Sequence, residues 1–157
     1  MNKVIFLDRD GVINREIGNY VYNIKDFVIN DGLEKALYNW SKNGYSFAIV
    51  TNQGGIAKGL YNRNDVEEIN LFLRNWFEAR SFNLLTILYC PHHDAIEHCI
   101  CRKPNSLMLE KIIARYTVSL KHSFMIGDSD RDVQAANNVG LRGFKIKANS
   151  NLNEFIL

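Results

Sequence analysis

Short apolar runs alternate with stretches of helical period from one end of the chain to the other, and this rhythm leaves few folds open. KVIFLD (3–8), YSFAIVT (45–51), LTILYC (85–90), SFMIGD (123–128) and LRGFKI (141–146) are too short for buried helices and read as strands covered on both faces. Between them lie four segments of helical spacing. In GLEKALYNWSKNG, Leu33, Ala36, Leu37 and Trp40 follow the i, i+3, i+4, i+7 pattern, and Gly44 is placed to end the helix. In DVEEINLFLRNWFEA, Val66, Ile69, Leu73, Trp76 and Phe77 form one apolar stripe, with Asn64 or Asp65 as the expected cap. Leu109, Ile112, Ile113 and Tyr116 do the same in NSLMLEKIIARY, while RDVQAANNVG is small-residued and should lie close to the sheet. Strands alternating with helices imply right-handed crossovers. The predicted fold class is therefore α/β, a doubly wound, Rossmann-like parallel sheet of about five strands.

The chain of 157 residues has the size of one domain, expected over 1–157, and can bury a core unaided. A net charge of +2 with no basic run of five residues argues against a nucleic-acid surface. No apolar stretch approaches the length of a membrane span, and the opening MNKVIFLDRDG has too few apolar residues before its first Asp for a signal peptide. A cytoplasmic monomer is expected. Residues 52–84 hold a single helix and 10–31 only a flap-sized segment, so no large cap domain is predicted.

In open α/β sheets ligands bind beyond the carboxyl ends of the strands. The first strand ends in Asp8-Arg9-Asp10-Gly11, the second in Thr51-Asn52-Gln53-Gly54, and the fourth in Gly127-Asp128-Ser129-Asp130-Arg131-Asp132. Any one of these acids would read as a turn cap. Gathered into one crevice they would repel and raise each other's pKa values, so a hard cation such as Mg²⁺ is the economical explanation. In a regular strand Asp10 would point away from Asp8. The chain must leave the extended conformation there, and Gly11 permits the turn.

All three cysteines fall within CPHHDAIEHCIC, residues 90–101. An odd count of thiols in a reducing compartment argues against a disulfide framework. Cys90, His92, Cys99 and Cys101 have a C-x-H-x6-C-x-C spacing, a set that Zn²⁺ takes tetrahedrally with no position left for chemistry. Cys99-Ile100-Cys101 cannot bury both thiols by alternation, which disfavours free core cysteines. A structural zinc in loop 90–103 would clamp the segment that presents Arg102 and Lys103. Spacing alone leaves His93 and His98 as alternative ligands.

FLDRDGVIN, IVTNQGG, RKP and MIGDSDRD, in that order and at strand ends, resemble the four motifs of the haloacid dehalogenase (HAD) superfamily of aspartate-nucleophile phosphatases, across nearly the whole chain. TNQGGIAKG together with the cysteine insert is similar to the D-glycero-D-manno-heptose 1,7-bisphosphate phosphatases and the related histidinol-phosphate phosphatases. The resemblance implies that Asp8 attacks phosphorus and forms an aspartyl phosphate, while Asp10 protonates the leaving oxygen and then activates water. It implies Mg²⁺ on Asp8, the Asp10 carbonyl and Asp128, with Asp132 behind them and Asp130 in solvent or capping. Thr51 and Lys103 would hold the transferring group, and Asn52, Gln53, Gly54 and Arg102 would bind substrate. Zinc would fall to Cys90, His92, Cys99 and Cys101.

The implied partner is a small phosphorylated molecule, with no nucleic acid and no membrane. GGIAKG favours the heptose bisphosphate and its 7-phosphate over histidinol phosphate, with Glu16–Tyr22, Thr51–Gly54 and Arg102-Lys103 as specificity segments. Many heptose enzymes carry a basic residue where this chain has Ser129, so Lys58 or Arg131 would hold the second phosphate. Receiver-type signalling modules also set acids, a Thr and a Lys around Mg²⁺, but Asp10 and the zinc-like insert favour turnover over storage. A zinc-ribbon interaction module would leave the strand-end acids unexplained.

Overall fold

The computed structural model describes residues 1–155 and contains one five-stranded, all-parallel sheet. The strands are β1 (Lys3–Leu7), β2 (Tyr45–Asn52), β3 (Leu84–Cys90), β4 (Phe124–Gly127) and β5 (Arg142–Lys145), in the order β3-β2-β1-β4-β5. Each matches a run read from the sequence. The helices α1 (Leu33–Lys42), α2 (Arg63–Glu78), α3 (Leu107–Tyr116) and α4 (Asp130–Asn138) fill the crossovers.

Alternation along the strands divides the interior into two cores. Ile5, Leu7, Phe47, Ile49, Phe124 and Ile126 face α1 and α2, meeting Leu33, Leu37, Ile69, Leu73 and Phe77. Val4, Phe6, Ala48, Val50 and Met125 face α3 and α4, meeting Met108, Leu109, Ile112, Ala135 and Ala136. All the strand residues named here are fully buried, so the sheet is insulated on both faces. The small residues of α4 have the predicted effect: a Cβ on Gly143 of β5 would stand 2.8 Å from Cα of Val133.

One cap differs from expectation. α2 begins at Arg63 with Asn62 as N-cap, whose side chain accepts from the N–H groups of Asn64 and Asp65. Asp65 answers by accepting from Asn62 N at 2.8 Å, a reciprocal capping box that places the cap two residues before the earliest expected position. The segment after β5 also reaches the core. Leu152 is buried, and the Phe155 ring meets those of Trp40, Phe124 and Phe144.

Candidate active site

The chain builds β1, β2 and β3 outward in one direction, then crosses β1 to add β4 and β5 on its other side. This reversal opens a crevice at the carboxyl ends of β1 and β4. Leu7 pairs with Ile126, and Asp8 N donates to Ile126 O at 3.0 Å, so Asp8 and Asp128 leave adjacent strands side by side. A pocket of about 170 Å³ opens there. Asp8, Asp10, Thr51, Asn52, Lys103, Asp128 and Asp132 line it, with Glu16, Ser129 and Arg131 at its margin. Two roomier grooves, around Arg74–Leu84 and Glu34–Phe82, contain none of these groups.

Lys103 anchors the arrangement. Its ammonium, almost wholly buried, contacts Asp8 Oδ1 at 2.8 Å and Asp132 Oδ1 at 2.6 Å, and donates to Val50 O at 2.8 Å. Burial alone would push its pKa down; Asp8 and Asp132 outweigh that, the net direction is up, and the group stays cationic. Asp8 carries the opposite strain. Burial pushes its carboxyl up from 3.8 to about 7, with Lys103 pulling down and Asp132 and Asp10 adding to the rise. Burial, followed by Asp132, also raises Asp128. These acids lack positive charge.

A divalent cation suits that shortage. Asp8, Asp128 and Asp132 each bring an oxygen within 4.8 Å of the others. Asp132 already uses both of its oxygens, one on Lys103 and one accepting from Ser129 N at 3.1 Å, which leaves Asp8 and Asp128 as the carboxylates open to an ion. The turn below them requires glycine: Gly11 has φ of +85°, and a Cβ there would stand 2.2 Å from Asp128 Oδ2.

Asp10 is brought round by this turn and held by several donors. Its Oδ1 accepts from Arg9 Nη2 at 3.0 Å and Asn14 Nδ2 at 2.9 Å; its Oδ2 accepts from Arg9 Nη2 and from Gln53 Nε2, both at 3.1 Å. Arg9 is fully buried and also donates to the carbonyl of Val21 at 2.6 Å, which ties the flap to the same carboxylate. A cation wedged between the two acids of DRDG was the available signal for this role; Asn14 had none. Asn149, likewise absent from the sequence reading, clips the flap to the C-terminal segment through both Glu16 N and Glu16 O.

The polar residues after β2 divide by task. Thr51 is buried at the pocket wall. Asn52 lines the pocket but commits its amide to the Lys103 backbone, accepting from Lys103 N and donating to Lys103 O at 3.0 Å each. Gln53 lies behind Thr51 and Asp10, and Gly54 sits under His93 and Arg102, where a Cβ would stand 2.8 and 3.0 Å from their side chains. Arg102 is outside the pocket lining and turned into the cysteine loop, donating to His92 O at 3.1 Å and pairing with Asp94 at 3.4 Å. Asp130 is exposed and paired with Lys145. Ser129 caps α4, with Asp132 completing a capping box.

Cys90, His92, Cys99 and Cys101 converge in loop 90–103. The separations Cys90–Cys101 3.1 Å, Cys90–Cys99 3.7 Å, His92 Nδ1–Cys90 3.5 Å and His92 Nδ1–Cys101 3.3 Å approach the edges of a tetrahedron built on zinc–ligand bonds, about 3.8 Å for a sulfur pair. His93 instead accepts from Ala95 N through Nδ1, and neither it nor His98 joins the cluster. The donor set fits zinc.

A family model described as HAD-hydrolase-like matches residues 100–152. The D-glycero-alpha-D-manno-heptose-1,7-bisphosphate 7-phosphatase of Photorhabdus laumondii is 37% identical over 152 residues, spanning 92% of this chain and 82% of that protein. The beta-anomer 7-phosphatase of the same organism is 43% identical over 142 residues, spanning 84% and 73%. Among solved structures, a D,D-heptose 1,7-bisphosphate phosphatase from B. bronchiseptica, complexed with magnesium and phosphate, superposes with a TM-score of 0.83 at 31% identity, covering 91% of this chain and 79% of the other. These likenesses favour a phosphatase over a receiver module or a zinc-ribbon protein, and the heptose branch over histidinol phosphate.

Proposed function

The chain belongs to the D-glycero-D-manno-heptose-1,7-bisphosphate 7-phosphatase family of HAD-like hydrolases, and on that premise we propose that it removes the 7-phosphate of D-glycero-D-manno-heptose 1,7-bisphosphate through an aspartyl phosphate on Asp8. The observation that carries this reading is the contact of Lys103 with Asp8 and Asp132 in a pocket walled by Thr51 and Asp128. A phosphate monoester dianion is a slow electrophile, so a site that attacks it must neutralise its oxygens and hold a nucleophile in line. Lys103 and the Thr51 hydroxyl receive the phosphoryl oxygens. An Asp8 carboxylate oxygen bonds to phosphorus as the bond to the sugar oxygen breaks, and Asp10 gives that oxygen its proton. Asp10 then takes a proton from water, which attacks phosphorus, frees inorganic phosphate and restores Asp8.

Magnesium held by Asp8, Asp128 and the Asp10 carbonyl would supply the positive charge the acids lack, and zinc on Cys90, His92, Cys99 and Cys101 would be structural. For the second phosphate the chain offers a basic rim. Lys58, Arg102 and Arg131 all act on His93, whose pKa is lowered by its burial and by these cations, with Asp94, the partner of Arg102, opposing them. Arg131 stands at the pocket margin, where it supplies the charge that Ser129 does not. The whole activity is assigned to the single unit 1–157.

Phosphate release measured with both anomers of the heptose bisphosphate and with histidinol phosphate tests the reading. Expected is multi-turnover release with kcat/KM highest for the bisphosphate and none from Asp8→Asn. A preference for histidinol phosphate, or a single-turnover burst, would overturn it.

A further inference from the structure

Gln53 lies behind the pocket, 1% exposed, with every polar hydrogen of its amide in use. Nε2 donates to Asp10 Oδ2 at 3.1 Å and to Thr51 Oγ1 at 3.0 Å. Its carbonyl oxygen accepts from the buried Tyr61 hydroxyl at 2.7 Å. A flipped amide would set that oxygen against the Asp10 carboxylate, so the three neighbours together fix which way Gln53 faces. Burial pushes the Tyr61 pKa up from its ordinary 10.0, which keeps the hydroxyl protonated as a donor.

Tyr61 is itself held firmly. Its ring stacks on Tyr22 of the flap at 5.1 Å and 9°, and leans on Tyr20 at 5.7 Å. Gly55 passes beneath, where a Cβ would stand 2.0 Å from Cε1 of Tyr61, so the second glycine of TNQGG makes room for the ring.

We propose that Tyr61 and Gln53 are positioning residues: acting in series, they aim the Asp10 carboxylate at the leaving oxygen and turn the Thr51 hydroxyl proton toward the phosphoryl group. The inference deepens the proposed function and rests on Asp10 being its acid–base group. The Thr51 half follows from hydrogen-bond polarity. Because Thr51 Oγ1 accepts from Gln53, its own hydrogen is free to be donated into the pocket. The Asp10 half follows from geometry. Arg9 and Asn14 hold Oδ1, Arg9 reaches Oδ2 as well, and the neutral Gln53 amide meets Oδ2 from the Thr51 side, which completes the set of donors that orients the carboxylate.

The test compares two esters under single-turnover and steady-state conditions: the heptose bisphosphate, whose alkoxide leaving group needs a proton, and p-nitrophenyl phosphate, whose phenolate does not. Tyr61→Phe keeps the ring, its stacking and its fit over Gly55, and removes one hydrogen bond. The expected loss in kcat with the sugar ester is roughly tenfold for Tyr61→Phe and about a hundredfold for Gln53→Leu, the lower end of what acid–base catalysis contributes, with KM unchanged. The first turnover of p-nitrophenyl phosphate needs the Thr51 hydroxyl but no leaving-group proton, so its loss should be at least about threefold smaller than that of the sugar ester in each variant, and its amplitude counts the folded sites. An equal loss on both esters would reduce these residues to packing and overturn the inference. So would an unchanged Tyr61→Phe in an active wild-type background. Wild-type protein inert toward both esters would instead overturn the phosphatase reading itself.

Discussion

At the scale of single residues, Asp8 holds the most consequential energy. Its carboxyl pKa stands near 7 against an ordinary 3.8 because burial penalises the anion more than Lys103 rewards it. A raised carboxyl favours the folded state while protonated, so in magnesium-free buffer its contribution is complete below pH 3.8 and is lost as pH rises to about 7. The melting temperature of wild type should fall across that window relative to Asp8→Asn, and magnesium should flatten the slope, because the ion binds the anion. A difference between the two proteins that does not vary with pH would contradict this. That Asp8, Asp10, Thr51 and Asp128 would meet was legible from their strand-end positions, and that Lys103 would join them from its place just after the cysteine loop. The tasks of Asn52, Gln53 and Arg102 were not, since an amide or guanidinium near a phosphate site can face the ligand or a neighbour. Here Asn52 faces the Lys103 backbone and Arg102 the cysteine loop.

At the scale of elements, the cysteine loop joins the end of β3 to the lysine that meets Asp8. Four ligands held by one ion would fix the loop with an apparent binding energy of roughly 10–16 kcal/mol, as in zinc-finger peptides. Yet the loop contributes little to the two cores: Cys90 is its one buried apolar side chain, with Cys99 and Cys101 half-buried against it. Chelation should therefore abolish turnover with magnesium supplied while the far-ultraviolet circular dichroism of the sheet and helices persists. Equal activity in zinc-stripped protein would contradict the clamp. The spacing of the four ligands was readable, whereas the exact cap of α2 was not. Asn62, Asn64 and Asp65 are all competent caps, and the choice falls to the reciprocal bond between Asn62 and Asp65, which only the folded turn reveals.

At the scale of the whole molecule, strand and helix order were readable from periodicity alone, while the use of the final segment was not. Leu152 and Phe155 are too few and too isolated for any period to mark, yet they close the core over α1 and β4. Leu152→Ala should cost about 2–5 kcal/mol, read from chemical denaturation, with kcat preserved in the folded fraction because the residue lies away from the pocket. The strand order also has a kinetic consequence. β1 is made first but sits centrally, and the contacts along its β4 flank, such as Val4 N with Ser123 Oγ, join residues 119 positions apart. During refolding, one edge of β1 must wait unpaired for the most distant partner in the sheet, and Asp8 stands at the tip of that edge. Recovery of hydrolysis should then trail recovery of helix signal, making enzymatic activity the reporter of the last topological step.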